Sequence, residues 1–147
     1  MNLDLLNRDT VQISENQKLT WKEAITLAAQ PLIDEGNIGK DYVDNMIHTA
    51  ENVGPYFNIG PGIALAHSRP IPSVKKVSLA LLKTNKSVDL LSMDHPIKLW
   101  FVLAATDNNS HLKVIQQLSK VLMNSEKYKK LMNSKTVDEL LNVLKGE

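Results

Sequence analysis

The chain has 147 residues, 43% hydrophobic and 22% charged, proportions that suit one folded domain and exclude a disordered chain. Seventeen Lys and Arg against sixteen Asp and Glu leave a formal net charge of +1, so no overall basic field draws the protein to nucleic acid. Cysteine is absent, which removes disulfides, cysteine-ligated metals and thiolate nucleophiles, and no run reaches the roughly 18 apolar residues of a membrane span.

The opening MNLDLLNRDT has neither the basic start nor the apolar stretch of a leader, and the expectation is a soluble, cytoplasmic protein without direct membrane insertion. Thr10 to Ser14 reads as a first strand. Thr20-Trp21-Lys22-Glu23 has capping-box spacing and predicts a helix with Trp21, Ala24, Ile25, Ala28 and Leu32 on its core face. Pro31 should kink or end that helix near Gln30, with Gly36 as terminator. A second helix fits residues 40–51 through Tyr42, Val43, Met46, Ile47 and Ala50.

From Asn52 the punctuation changes. The stretch ENVGPYFNIGPGIALAHSRPIP carries three Gly and four Pro, reading as irregular chain around a short apolar run, Ile63 to Ala66. Val74 to Leu82 and Lys98 to Ala105 read as strands, the second buried on both faces. Residues 108–123 return to helical spacing through Leu112, Ile115, Leu118, Leu122 and Met123, with Asp107 or an Asn behind it as cap. Ser125 to Met132 suggests a short helix. Thr136-Val137-Asp138-Glu139 repeats the capping-box spacing before a last helix that buries Leu140, Leu141 and Leu144. Strands mixed with helices in this order predict an α/β fold: one domain spanning 1–147, a mixed β-sheet flanked by helices on both faces.

Four histidines are candidates for chemistry, none at a metal-ligand spacing, so neither a metal nor another cofactor is expected. His67 is delivered by the apolar run Ile63 to Ala66 to a turn of Ser68, Arg69 and Pro70; spacing alone leaves open a site or a plain Gly-Pro turn at a strand end. His111 should stand in the first turn of its helix, where open amides suit an anion and the helix field disfavours a protonated ring. The alternative for His111 is an ordinary polar helix-start residue. His95, ahead of Pro96, reads as structural.

Taken together, YFNIGPGIALAHSRP and HPIKLWFVLAATDNNSHLKVIQQLSKVL resemble the enzyme IIA domains of the fructose-mannitol superfamily of the bacterial phosphoenolpyruvate-dependent sugar phosphotransferase system. The ascorbate branch looks most similar, and the resemblance covers nearly the whole chain. It implies a cytosolic phosphoryl carrier. His67 would accept phosphate from phospho-HPr, at Nε2, and pass it to a cysteine of enzyme IIB; His111 would hydrogen-bond the phosphoryl group. Gly62, Ser68, Arg69 and His48 are the supporting candidates for phosphate binding, Arg69 being equally readable as a surface charge that steers the partner, and the membrane enzyme IIC would be an indirect partner. Two departures mark this chain: Ala66 stands where the family commonly has Pro, and His48 stands roughly where mannitol-type relatives carry Arg. The competing expectations are a regulatory, nitrogen-related IIA whose phosphorylation state controls partner binding, and a small binding domain without covalent chemistry. Ile59, Ile63, Leu65 and Ile71 are candidates for apolar docking ground if exposed, core packing being the better reading for most of them.

Overall fold

The computed structural model describes residues 2–16, 18–54, 57–91 and 95–145. After a 3-10 turn at Asn2–Leu5 come β1 (Val11–Ser14), α1 (Trp21–Asp34), α2 (Lys40–Val53), β2 (Asn58–Gly60), β3 (Gly62–Ala66), β4 (Ser78–Asp89), β5 (Pro96–Ala104), α3 (Asn108–Leu122), α4 (Ser125–Asn133) and α5 (Val137–Lys145). The strands form one mixed sheet in the order β1-β4-β5-β3-β2. Pairing is parallel for β1 with β4 and for β3 with β5, and antiparallel for β4 with β5 and for β2 with β3.

Strand alternation sends successive side chains to opposite faces, and here it divides the core in two. Ala64, Ala66, Ala80, Leu82, Trp100, Val102 and Ala104 face α1 and α2 and pack with Ala24, Ala28 and Ala29 of α1 and with Tyr42, Met46 and Ala50 of α2. Ile63, Leu65, Leu79, Leu81, Leu99, Phe101 and Leu103 face the other way and fill the space beneath α3, α4 and α5. The expected helix layers on both faces are present. β5, in the middle, is buried from Leu99 to Ala104.

Thr20 caps α1 as its spacing predicts: its hydroxyl accepts the Glu23 N–H at 3.2 Å and Glu23 accepts the Thr20 N–H at 3.0 Å. Pro31 does not end the helix, which runs on to Asp34. The carbonyl that Pro31 cannot serve is that of Leu27, and the Gln12 side-chain amide from β1 donates to it at 2.8 Å. The stop falls at Gly36, whose φ of +77° suits glycine.

Three other expectations shift. β4 starts at Ser78 rather than at Val74, which is held in a turn by its N–H to the Ile71 carbonyl, 2.9 Å, while packing its side chain into the core. The strand then continues to Asp89 through the exposed Asn85, Lys86 and Ser87, polar because no layer covers them. Helix α3 buries Val114, Leu118 and Val121, leaving Leu112 (55%) and Met123 (85%) exposed. Its core face is therefore rotated away from the expected stripe.

Candidate active site

β3 and β5 run parallel, with Ala66 at the end of β3 paired to Val102 two residues before the end of β5, so the chain leaving each strand emerges at the same end of the sheet. His67 follows β3 directly. His111 comes from the first turn of α3, which follows β5. The two rings meet edge to face with centroids 5.0 Å apart, and the Phe57 ring, tilted, has its centroid 5.6 Å from that of His67.

The His67 ring is oriented by its own strand. Nδ1 lies 2.8 Å from the Leu65 carbonyl oxygen, which can only accept, so Nδ1 carries the proton and the lone pair of the neutral ring is on Nε2. Burial pushes the His67 pKa below the ordinary histidine value, against an opposing pull from the Leu65 hydrogen bond. His111 is lowered by burial and by the charge of His67. Both rings are thus held neutral, the state in which an imidazole is a nucleophile or can donate one N–H.

A cleft of about 750 Å3 opens beside the pair. One wall is the α2 stripe Asn45, His48, Thr49 and Asn52, and the other carries Ser68, Arg69, Asn108 and the two histidines. His48 is 81% exposed, with Nδ1 at 3.8 Å from Glu51, which also pairs with Lys22 at 2.9 Å. His67 also borders an apolar groove of about 410 Å3 between Ile59, Ile63 and Leu65 on the strands and Ile115, Leu118 and Leu122 on α3. Of the apolar residues expected at a docking face, Ile59 is exposed at 44%, Ile71 is partly buried, and Ile63 and Leu65 belong to the core.

One expected phosphate contact is placed elsewhere. Gly62 begins β3, opposite Ile97 near the start of β5, a full strand away from His67. Its φ of +74° serves the β2–β3 turn, and a Cβ there would meet Met132 Cε of α4 at 2.8 Å. The N-terminus of α3 already has its anion: Asp107 accepts the Ser110 N–H at 2.8 Å, and these bonds hold its carboxyl below the usual range. The amide after His67 is also engaged, because the Ser68 N–H donates to the Tyr42 hydroxyl at 3.0 Å. His95 lies before β5 at the far end of the sheet, where its carbonyl accepts the Leu90 N–H at 2.8 Å.

Sequence reasoning passed over Asn45, Thr49, Asn52, Phe57 and Tyr42 as site residues. The polar set 45, 48, 49, 52 follows helical spacing and is legible as one face of α2; the Tyr42 ring is core, as its place in the apolar pattern of α2 implies.

Among the described residues no helix is long and apolar enough to cross a membrane. Residues 4–147 match the family model of the phosphoenolpyruvate-dependent sugar phosphotransferase system, EIIA 2. The chain is 32% identical over 124 residues to the mannitol-specific cryptic phosphotransferase enzyme IIA component of Escherichia coli, covering 84% of each chain. It is 30% identical over 127 residues to the ascorbate-specific PTS system EIIA component of the same organism, covering 85% of this chain and 82% of the relative. The solution structure of the mannitol-specific cryptic IIA superposes with a TM-score of 0.90 at 29% identity over 100% of both chains. A mannitol IIA solved in complex with phosphorylated enzyme IIB, also from Escherichia coli, gives a TM-score of 0.81 at 26% identity, covering 97% of this chain and 98% of that one. A whole-length family match, joined to a mixed sheet that ends in a histidine pair, makes this chain a member of the type-2 enzyme IIA family, the phosphotransferase relay components of the sugar phosphotransferase system.

Proposed function

We propose that residues 1–147 act as one cytoplasmic type-2 enzyme IIA domain that takes a phosphoryl group onto Nε2 of His67 from phospho-HPr and yields it to a cysteine of enzyme IIB. The observation that carries this reading is the 2.8 Å bond from Nδ1 to the Leu65 carbonyl, which puts the ring's lone pair on Nε2. That lone pair forms the new P–N bond as the bond to the donor imidazole breaks, and the donor ring keeps the electron pair. The IIB thiolate then forms a P–S bond, and the electrons of the P–N bond return to Nε2. Phosphoryl transfer of this kind makes small covalent demands on the protein and depends on positioning and on donors aimed at the oxygens. His111 supplies an N–H beside the incoming group. Ser68, Arg69 and His48 line the same cleft and complete the polar surround.

Phosphorylated IIB beside a mannitol IIA supports the choice of acceptor. L-Ascorbate is the finer substrate reading drawn from the sequence. Mannitol-specific and ascorbate-specific relatives stand at 32% and 30% identity, so the IIB that discharges the protein decides between them.

The test is reconstitution with phosphoenolpyruvate, enzyme I and HPr, followed by mapping of the acid-labile adduct. His67→Ala is expected to abolish labelling, and His111→Ala to leave an acceptor slower by roughly two orders of magnitude, the range for loss of one preorganised donor. Undiminished labelling of His67→Ala would refute the reading. Phosphorylation without onward transfer to either IIB would favour the regulatory type instead.

A further inference from the structure

We propose that Tyr42 is a positioning residue for phosphoryl transfer, its hydroxyl pinning the backbone step that follows the acceptor histidine; this rests on the phosphohistidine reading above. The ring is fully buried in the layer between α2 and the sheet, where phenylalanine would pack as well. The oxygen does what phenylalanine cannot. It accepts the Ser68 N–H at 3.0 Å and donates to the Leu103 carbonyl of β5 at 2.8 Å, with the Ser68 carbonyl at 3.2 Å as a second acceptor.

Leu103 lies in the central strand, so this one atom ties the exit of β3 to the most buried part of the sheet. His67 is thereby held from both sides, its ring through the Leu65 carbonyl before it and its following peptide through Tyr42 after it. The residue before the histidine is Ala66, whose φ has none of the restraint a proline would impose, so the fixing of this turn falls to the hydroxyl. Burial raises the Tyr42 pKa to about 12, and the group stays a neutral donor and acceptor throughout the range in which phosphoryl transfer is measured.

Tyr42→Phe removes the oxygen and keeps the ring. In the phosphoenolpyruvate, enzyme I and HPr assay its kcat is expected to fall on the order of ten- to a hundredfold, the scale of a displacement of about 1 Å, with KM for phospho-HPr unchanged. The 15N spectrum of the His67 ring is expected to change from a single Nδ1–H tautomer to a mixture, a signature that loss of stability alone does not produce. A folded Tyr42→Phe protein with wild-type kcat and an unchanged ring spectrum overturns the proposal. If that variant does not fold, Ser68→Pro removes the amide donor from the other side while Tyr42 and Leu103 remain joined. It is expected to slow transfer more than Ser68→Ala, and equal rates for the two overturn the proposal. A wild-type protein that takes no phosphate on His67 would instead refute the function, and the ring spectrum would still report on Tyr42.

Discussion

An imidazole takes a phosphoryl group only through a nitrogen bearing a lone pair, so protonation and acceptance compete for the same atom. For His67 that atom is Nε2, and burial lowers the ring's affinity for the proton. The acid limb of phosphoryl acceptance is therefore expected below the ordinary histidine value of about 6.5, with a flat rate above it. Stability follows with a definite sign. In unfolded chain both histidines titrate near 6.5, whereas the folded values are lower, so between the two the unfolded state binds more protons. The contribution of the two histidines to the unfolding free energy should thus be constant above about pH 6.5 and fall as the pH drops through the window beneath it. An NMR titration of the two rings alongside a rate profile checks both statements; an acid limb above 6.5 contradicts them. The two histidines were legible from their settings in the sequence, but the tautomer was not, because it depends on a carbonyl two residues back pointing at the ring.

Within α1, Pro31 is the element's weak point and Gln12 its remedy. The proline leaves the Leu27 carbonyl without a helical donor, and the Gln12 side chain reaches it from β1 across 2.8 Å. Gln12→Ala should lower the unfolding free energy by about 1 kcal/mol, the usual net worth of such a bond, or more because an acceptor is left bare. In a Pro31→Ala background the backbone amide of residue 31 can serve Leu27, so Gln12→Ala should cost less there. Urea unfolding of the four proteins in the cycle measures the coupling, and additive costs would show that Gln12 does not compensate the proline. The same bond explains why the sequence misleads at this point: the capping box is local and readable, whereas the partner that rescues the helix arrives from another element. Helix α3 teaches a related lesson. Its heptad-like apolar pattern is wider than its core face, and the surplus residues Leu112 and Met123 are left exposed while Ile115 and Leu122 line the groove at His67. Asp107, by contrast, caps its own helix and is one of the caps that the spacing leaves open, the alternative being an Asn behind it.

Over the whole molecule, each central strand feeds two cores at once. Ala64 and Ala66 of β3 serve the α1–α2 layer while Ile63 and Leu65 serve the layer of α3 to α5, and β4 and β5 divide in the same way. Neither layer can lose its helices without exposing alternate residues of strands that the other still needs, so the expectation is one cooperative transition. The tryptophans give a direct check, because Trp100 belongs to the α1–α2 core and Trp21 packs against it. Their fluorescence therefore reads one layer, whereas far-ultraviolet circular dichroism reads helices in both. Coincident urea curves from the two probes are expected, and a fluorescence change that precedes or follows the helical signal would show the layers melting apart. The same topology delays folding: β1 with β4 and β3 with β5 are parallel pairs whose members are separated by long intervening chain, so loop closure must precede both of these pairings. His67 and His111 stand at the ends of one such pair. Their juxtaposition should therefore form late, together with the sheet, and the characteristic ring spectrum of His67 should return in refolding no sooner than the Trp100 fluorescence.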